Sequence, residues 1–330
     1  MTDIQIALIQ ALQAQAAWLA DPMLFFSLLG QPEFFLLLIP LLYWCWDPRL
    51  GLRLGLLMGI SGGLSVAAKI VFHLPRPYWV SPAVQALGSH PSFGLPSGHA
   101  QGAVTFWGLL AADARRRWVT LSVVGLVLLI GLSRIYFGIH FATDVIAGLA
   151  FGIVLLLGFL ALERPVGRRI AALPVSSQVL LAFAGSLLLA LVSLVALAAL
   201  GDWEVPAAWA AGALERSGQP IHPLDPGDAV TAAGFFFGFA AGAAAAWPRR
   251  ESTCIAAGKG SLRLFCYIAG LLVTGAVWFG LGLLIPPDPT PVAYILQYLR
   301  AAVAAAWVSC GAPAVFARMN AGTGGRGSGA

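Results

Sequence analysis

Charged residues are scarce in this sequence. Only 10% of its 330 residues are Asp, Glu, Lys or Arg, whereas 59% are hydrophobic and the mean hydropathy is +0.85. Soluble globular domains carry about 25% charged residues, so the composition excludes that class and predicts an integral, multi-pass membrane protein. The net charge of +5 comes from short Arg clusters between apolar runs, which is typical of topology signals. No nucleic-acid partner is therefore expected.

Closely spaced cysteines and clustered carboxylates are also lacking. The four cysteines are scattered along the chain, at Cys45, Cys254, Cys266 and Cys310. None of them has the close spacing of a metal site or a redox pair, and no group of carboxylates indicates Mg²⁺ or Zn²⁺. We therefore expect no disulfide framework, no metal and no cofactor.

Apolar runs fill most of the sequence. A transmembrane helix needs about 20 apolar residues to cross a hydrocarbon core of about 30 Å. Candidate spans are residues 24–45, 51–73, 98–113, 118–139, 143–162, 176–200, 229–247, 262–285 and 291–312. They predict an all-α fold, a polytopic transmembrane helical bundle of about nine spans, of which the third is short.

The two ends of the chain differ from these runs. Residues 1–22 alternate apolar residues with Gln and carry almost no charge, which favours a helix lying in the membrane interface. A short tenth span is the alternative. Residues 321–330 are rich in Gly and are predicted to be disordered.

The basic residues test the arrangement of the spans, because cytoplasmic loops accumulate Lys and Arg. If the loop that holds Arg residues 115–117 is cytoplasmic, alternation of the spans places four further basic clusters on the same side. These clusters lie within residues 49–53, 164–169, 249–263 and 318–326. Lys69, Arg76 and Arg134 fall near the opposite, extracytoplasmic face and violate the charge rule. We therefore expect another role for these three residues.

Three polar stretches converge on the extracytoplasmic face in this arrangement. They are KIVFHLPRP from Lys69, PSGH from Pro96 and SRIYFGIHFATD from Ser133. Their three cations can hold phosphate oxygens, and an Arg guanidinium can do so in a bidentate fork. The alternative is snorkelling of Lys and Arg side chains to the interface, which explains one such residue better than three.

The PSGH stretch predicts the start of a helix. Ser97 is suited to cap a helix that begins near Gly98, and Gly98 allows a ligand to approach the unpaired amides of the first turn. Taken alone, this pattern is more often an ordinary cap. His99 places an ionisable imidazole beside these amides, so we interpret the stretch as a phosphate cradle.

His140 and Asp144 are separated by four residues, so on one helix they would share a face. A carboxylate that binds one ring nitrogen fixes the tautomer and leaves the other nitrogen with a free lone pair. His140 is therefore a candidate nucleophile and Asp144 its orienting partner. His99 would protonate the leaving group and then activate water for cleavage of the phosphohistidine.

These stretches together resemble the three-part signature of the type 2 phosphatidic acid phosphatase superfamily. The spacings KxxxxxxRP, PSGH and SRxxxxxHxxxD are matched in order, and the resemblance covers about residues 24–162. It implies a metal-independent phosphohydrolase with a helical-bundle catalytic core. It also implies that His140, His99 and Asp144 are catalytic and that Lys69, Arg76, Ser97, Gly98 and Arg134 bind phosphate.

The expected function is hydrolysis of a membrane lipid phosphate or lipid diphosphate through a phosphohistidine. The resemblance implies phosphatidic acid, phosphatidylglycerol phosphate, an isoprenyl diphosphate or a sphingoid phosphate as substrate, bound from the bilayer. Residues 23–165 are then the catalytic core and residues 166–320 a four-span extension. We expect an integral protein of the plasma or inner membrane, with its active site on the extracytoplasmic side. A phosphotransferase with the same intermediate, or a non-catalytic lipid-phosphate carrier, are the alternatives.

Two loops near these stretches are less informative. His73 and His90 could touch a head group, but we interpret them as solvated. We interpret Tyr78, Trp79 and Phe93 as an aromatic belt at the interface rather than as residues that stack on a ligand. The outer loop from Gly201 to Asp228 contains GDWEVPAAW and HPLDPGD. It is either a lid or an interfacial hairpin, and the sequence leaves both open.

Overall fold

The computed structural model describes residues 2–246 and 260–324, and all regular secondary structure in those ranges is helical. The helices are α1 Thr2–Gln13, α2 Ala16–Leu28, α3 Pro32–Cys45, α4 Pro48–Phe72, α5 Pro77–Val80, α6 Gly98–Ala114, α7 Arg117–Tyr136, α8 Ala142–Ala171, α9 Val175–Ala199, α10 Ala207–Ser217, α11 Gly227–Ala246, α12 Gly260–Gly282, α13 Pro291–Ala306 and α14 Ala312–Gly324. A π-helical turn, Trp307–Gly311, joins α13 to α14. The predicted all-α fold is confirmed.

Seven helical segments in the described part of the chain are long and apolar enough to cross a membrane. They are Pro48–Val80, Arg117–Tyr136, Ala142–Ala171, Val175–Ala199, Gly227–Ala246, Ser261–Gly282 and Pro291–Met319. Trp18–Leu28 and Pro32–Cys45 qualify together as an eighth, bent by 48°. The short third span predicted at 98–113 is α6, with 17 residues. The protein is therefore an integral, multi-pass membrane protein.

Several predicted boundaries differ from the observed helices. The span predicted at 24–45 is broken between α2 and α3. The predicted end of the core, residue 165, lies inside α8, which continues through Pro165 to Ala171. A single proline removes only one backbone donor, so a long helix can continue past it. The predicted disordered tail, 321–330, begins inside α14; residues 325–330 lie outside the described ranges.

The described residues form two compact units that do not coincide with the predicted core and extension. Residues 2–35, 61–161 and 191–226 form the first unit, and residues 36–60, 162–190, 227–246 and 260–324 form the second. Residues 191–226 were expected in the extension but belong to the first unit. The reason is that α10 packs against α5, beside the polar stretches.

The N-terminal segment is two helices rather than the single interfacial helix predicted over residues 1–22. Ile9 of α1 is fully buried in the hydrophobic core of the first unit. The Gln13 side chain donates to the carbonyl oxygens of Gln85, at 2.9 Å, and Tyr136, at 3.0 Å. The Gln13 side chain therefore binds backbone carbonyl groups of the loop at Gln85 and of α7.

In the second unit, glycines allow α11 to pack closely on α13. Gly234, Gly238 and Gly242 are spaced four residues apart, and a methyl group on Gly238 would overlap the carbonyl oxygen of Ala302 in α13. This close approach is typical of small residues at helix contacts in membranes. The described cysteines of this unit, Cys45, Cys266 and Cys310, are all free thiols.

Candidate active site

The three polar stretches predicted from the sequence meet at one end of the first unit. Their charged and polar side chains are each at most 8% exposed: Lys69, Arg76, Ser97, His99, Arg134, His140 and Asp144. Burial of a charged group costs free energy unless the group is paired. The partners of each side chain therefore show how the site is built.

His140 is placed by the turn between α7 and α8. Gly138 has a φ of +71°, in the left-handed region that favours glycine, and it reverses the chain just before His140. The His140 Nδ1 lies 3.4 Å from Asp144 Oδ2, which also accepts a hydrogen bond of 2.9 Å from the Phe141 amide. His140 precedes α8, so this pair shares a turn and a helix start rather than one helix.

Arg76 contacts the other ring nitrogen of His140. Its Nη1 is 3.1 Å from His140 Nε2 and 2.8 Å from the carbonyl oxygen of Ile139. Because a guanidinium can only donate, Nε2 accepts, and the ring proton lies on Nδ1 toward Asp144. The same guanidinium donates to the carbonyl oxygens of Ser92, at 2.6 Å, and Phe93, at 3.0 Å. Arg76 therefore fixes both the tautomer of His140 and the loop in front of it.

The Phe93–Gly94 segment was not predicted from the sequence. Lys69 Nζ donates to the carbonyl oxygen of Phe93 at 2.7 Å and lies 3.5 Å from that of Gly94. A methyl group on Gly94 would lie 2.9 Å from Asp144 Oδ2. The segment thus lies against Lys69, Arg76 and the Asp144 carboxylate, and only glycine fits at its second position.

The PSGH stretch begins α6 at Gly98, as predicted, with Ser97 in the N-cap position. The predicted side-chain cap is wrong, because Ser97 Oγ makes no hydrogen bond to the helix. Instead the Ser97 amide donates to the carbonyl oxygen of Asp144 at 2.9 Å, which ties the start of α6 to the start of α8. The hydroxyl and the first-turn amides keep their hydrogen-bonding capacity for a ligand.

Three buried polar atoms beside this helix start have no hydrogen-bond partner. They are Ser97 Oγ, His99 Nε2 and Ser65 Oγ. Buried polar atoms are nearly always hydrogen-bonded, so a cluster of exceptions points to a function. Ser65 was missed from the sequence, although it precedes Lys69 by four residues on α4 and so shares its helix face. A methyl group on Gly98 would lie 3.4 Å from Ser65 Oγ.

Arg134 lies in the last turn of α7. One guanidinium nitrogen, Nη1, donates to Ser27 Oγ on α2, and the group lies 5.9 Å from the centroid of the Phe137 ring. Its Nε is buried without a partner. Burial lowers the pKa of His140, and the positive charges of Arg76, Lys69 and Arg134 lower it further. The His140 imidazole is therefore held in its neutral form, as a nucleophile requires.

Within residues 2–246 and 260–324, no group of three or more His, Cys, Asp or Glu side chains is arranged to hold a metal ion. The positive charge of the site comes from Lys69, Arg76 and Arg134. The neutral His140 imidazole lies beside these cations.

Comparison with known protein families identifies two segments of the chain. Residues 50–168 match the family model of the PAP2 superfamily, and residues 230–324 match that of the PAP2 superfamily phosphatase, transmembrane extension. The chain belongs to the PAP2 superfamily. All the predicted site residues lie within the first match.

Individual PAP2 relatives cover the chain only in part. Human glucose-6-phosphatase 3 is 32% identical over 192 residues, which are 50% of this chain and 55% of the relative. Human sphingosine-1-phosphate phosphatase 2 is 33% identical over 132 residues, 38% of this chain and 33% of the relative. The matched segment thus spans only a third to about half of the length of these curated relatives.

A solved structure is also similar. It is that of a transmembrane PAP2 type phosphatidylglycerolphosphate phosphatase from Bacillus subtilis, with a TM-score of 0.40 and 25% sequence identity. The similarity covers 48% of this chain and 86% of that chain.

The loop of the PAP2 segment that carries Arg76 is buried, contrary to the sequence interpretation. Tyr78, Trp79 and Phe93 are at most 1% exposed, so they are not an interfacial aromatic belt. The Tyr78 hydroxyl donates to the carbonyl oxygen of His90 at 3.1 Å. The His90 ring lies 6.2 Å from that of His99, and its Nδ1 is buried without a partner. His90 is therefore part of the site region rather than a solvated loop residue.

Residues 201–226 lie between the two PAP2 matches and cover this loop. In α10, Arg216 Nη1 donates to the carbonyl oxygen of Tyr78 at 2.9 Å. The Trp203 ring lies 5.9 Å from that of Phe93 and 5.0 Å from that of His73. The His222 amide donates to the carbonyl oxygen of Pro91 at 3.2 Å. The sequence left open a lid or an interfacial hairpin. These contacts favour the lid, because the segment lies over the loop.

Proposed function

We propose that this protein is an integral-membrane, metal-independent phosphohydrolase of lipid phosphates or lipid diphosphates that acts through a phosphohistidine on His140. The observation that carries the proposal is the His140 imidazole, held between Asp144 on Nδ1 and Arg76 on Nε2. The names of the relatives, a glucose-6-phosphatase and a sphingosine-1-phosphate phosphatase, support phosphatase chemistry.

In the first step, His140 Nε2 attacks phosphorus in line with the leaving oxygen. The N–P bond forms as the P–O bond to the alcohol breaks, and His99 gives its proton to the departing oxygen. Asp144 keeps the proton on Nδ1 and stabilises the positive charge that develops on the ring. Arg76 is hydrogen-bonded to Nε2 in this structure, so its guanidinium turns to the phosphoryl oxygens when the substrate binds.

In the second step, His99 takes a proton from water. The hydroxide forms a P–O bond as the N–P bond breaks, which releases inorganic phosphate and restores neutral His140. Lys69, Arg76, Arg134 and the amides near Ser97 and Gly98 stabilise the charge on the phosphoryl oxygens. A phosphotransferase would use the same intermediate and differ only in its acceptor.

From the charge rule we further propose that the site faces the extracytoplasmic side of a plasma or inner membrane. The substrate would then reach the site with its acyl or isoprenyl chains in the bilayer and its phosphate among the cations. Phosphatidic acid, phosphatidylglycerol phosphate, an isoprenyl diphosphate and a sphingoid phosphate are the candidate substrates.

The proposal is tested by phosphate release from purified protein in detergent, with and without excess EDTA. The assay uses phosphatidic acid, phosphatidylglycerol phosphate, sphingosine phosphate and undecaprenyl diphosphate in parallel. We expect release from at least one of them at the same rate in EDTA, because side-chain cations balance the phosphate charge. Loss of release in EDTA that returns with a divalent cation would contradict metal independence, and release only when a hydroxyl acceptor is added would identify a transferase.

A further inference from the structure

A cavity of about 250 Å³ lies beside the candidate active site in the first unit. Its polar lining consists of Tyr78, Ser89, His90, Gln219 and His222, and two prolines complete it. The lining contains neither a carboxylate nor a Lys or Arg side chain. The Tyr78 hydroxyl is already bonded to the His90 backbone, but hydroxyl, imidazole and amide groups of the other polar residues can both donate and accept hydrogen bonds.

His90 connects this cavity to the reacting groups. Its ring meets that of His99 at an interplanar angle of 85°, with centroids 6.2 Å apart. Its Nδ1 is buried and has no hydrogen-bond partner, although Tyr78 holds the backbone of His90 on both sides. A buried ring nitrogen without a protein partner is unusual, so Nδ1 is free to bond a ligand in the cavity that His90 lines.

In the proposed reaction, the alcohol part of the substrate lies next to the cavity. The leaving oxygen receives its proton from His99, so it lies within hydrogen-bond reach of that ring. Atoms one or two bonds further along the alcohol are then within reach of His90, because the two rings are in edge contact. The cavity is therefore next to the part of the substrate that carries the ester.

We propose that this cavity is a subsite for hydroxyl groups on the alcohol that carries the phosphate. The inference rests on the proposed phosphohydrolase function and narrows its substrate class. Neutral donors and acceptors match hydroxyl groups, whereas an ammonium would find no carboxylate. The preferred substrates are phosphate monoesters of hydroxylated alcohols such as glycerol, rather than esters of diacylglycerol.

The outer wall of the subsite comes from the segment between the two PAP2 matches. Gln219 and His222 lie in residues 201–226, and this segment is attached to the site loop through Arg216 and the His222 amide. The preference for a hydroxylated alcohol therefore depends on a segment that neither family model includes. The phosphate-binding groups lie outside it.

The test uses two soluble probes that differ only in hydroxyl groups, glycerol 3-phosphate and propyl phosphate. Their binding to the full-length His140→Ala protein in detergent is measured by calorimetry, so the readout does not require turnover. We expect glycerol 3-phosphate to bind about tenfold more tightly, as a few hydrogen bonds allow. The variant that also carries Ser89→Ala and Gln219→Ala should lose this preference and keep its affinity for propyl phosphate.

Gln10→Ala is the matched control, because Gln10 is an exposed residue of α1 away from the cavity. It should retain the tenfold preference. Equal affinities for the two probes in the parent protein, or a preference that persists without Ser89 and Gln219 side chains, would overturn the subsite. Absence of turnover in the wild type would instead contradict the phosphohydrolase proposal, and the binding comparison would still decide the subsite.

Discussion

His140→Ala is expected to reduce phosphate release by about 10³-fold or more, because the protein loses the atom that forms the covalent intermediate. No other described side chain is held in the same way, between a carboxylate on one ring nitrogen and a guanidinium on the other. The measurement is kcat with the best lipid phosphate of the panel.

A folding control accompanies this variant, since His140 is only 2% exposed. His140→Gln keeps a polar side chain of similar reach toward Asp144 and Arg76 and should be equally inactive. Both variants should unfold in detergent within a few degrees of the wild type. Activity within tenfold of the wild type in either variant would remove His140 from the role of nucleophile.

Arg76→Lys is expected to lower kcat by about 10²- to 10³-fold, as removal of one preorganised charge contact does in other enzymes. The substitution keeps the positive charge but loses the planar fork, which donates to Ser92, Phe93, Ile139 and His140 in this structure. An ammonium cannot satisfy all these acceptors at once. The thermal unfolding temperature should therefore fall together with kcat.

Arg164→Lys is the matched control for this substitution, because Arg164 is exposed on α8. It should change neither kcat nor the unfolding temperature measurably. If Arg76→Lys retained kcat within a few fold of the wild type, the charge alone would suffice. The interpretation of Arg76 as the residue that fixes the His140 tautomer would then be wrong.

The sequence locates the apolar helices and the polar stretches that meet in the fold, because both are local patterns. Apolar runs of bilayer length locate the helices, and Lys69, Arg76 and Arg134 stand out because they violate the charge rule. The geometry brings these cations close enough to His140 for their charges to lower its pKa. Their roles in binding and catalysis remain predictions.

The contacts that hold the site could not be predicted, because they join residues far apart in the chain. Lys69 and Arg76 donate to carbonyl oxygens of the 92–94 segment, and Arg216 donates to the carbonyl oxygens of Tyr78 and Trp79. Backbone acceptors carry no signal in the sequence. For the same reason the aromatic residues of the site loop were misread as an interfacial belt, since burial under residues 201–226 depends on tertiary packing.

The packing of the N-terminal helices could not be predicted for the same reason. The Gln-rich pattern was read as an interfacial helix, but Gln13 donates to backbone carbonyls of a distant loop and α7. A polar side chain has the same sequence pattern whether it faces a membrane surface or a buried carbonyl. Only the fold distinguishes the two.

The most direct test of the central claim is to trap the phosphoryl group on His140. In His99→Ala, an aryl phosphate can still react, because an aryl oxide leaves without a proton, but water is no longer activated. We expect a burst of about one aryl alcohol per protein and an alkali-stable, acid-labile phosphoryl group on the peptide that contains His140. A label on another residue, or a label that persists in the double variant His99→Ala/His140→Ala, would contradict the account.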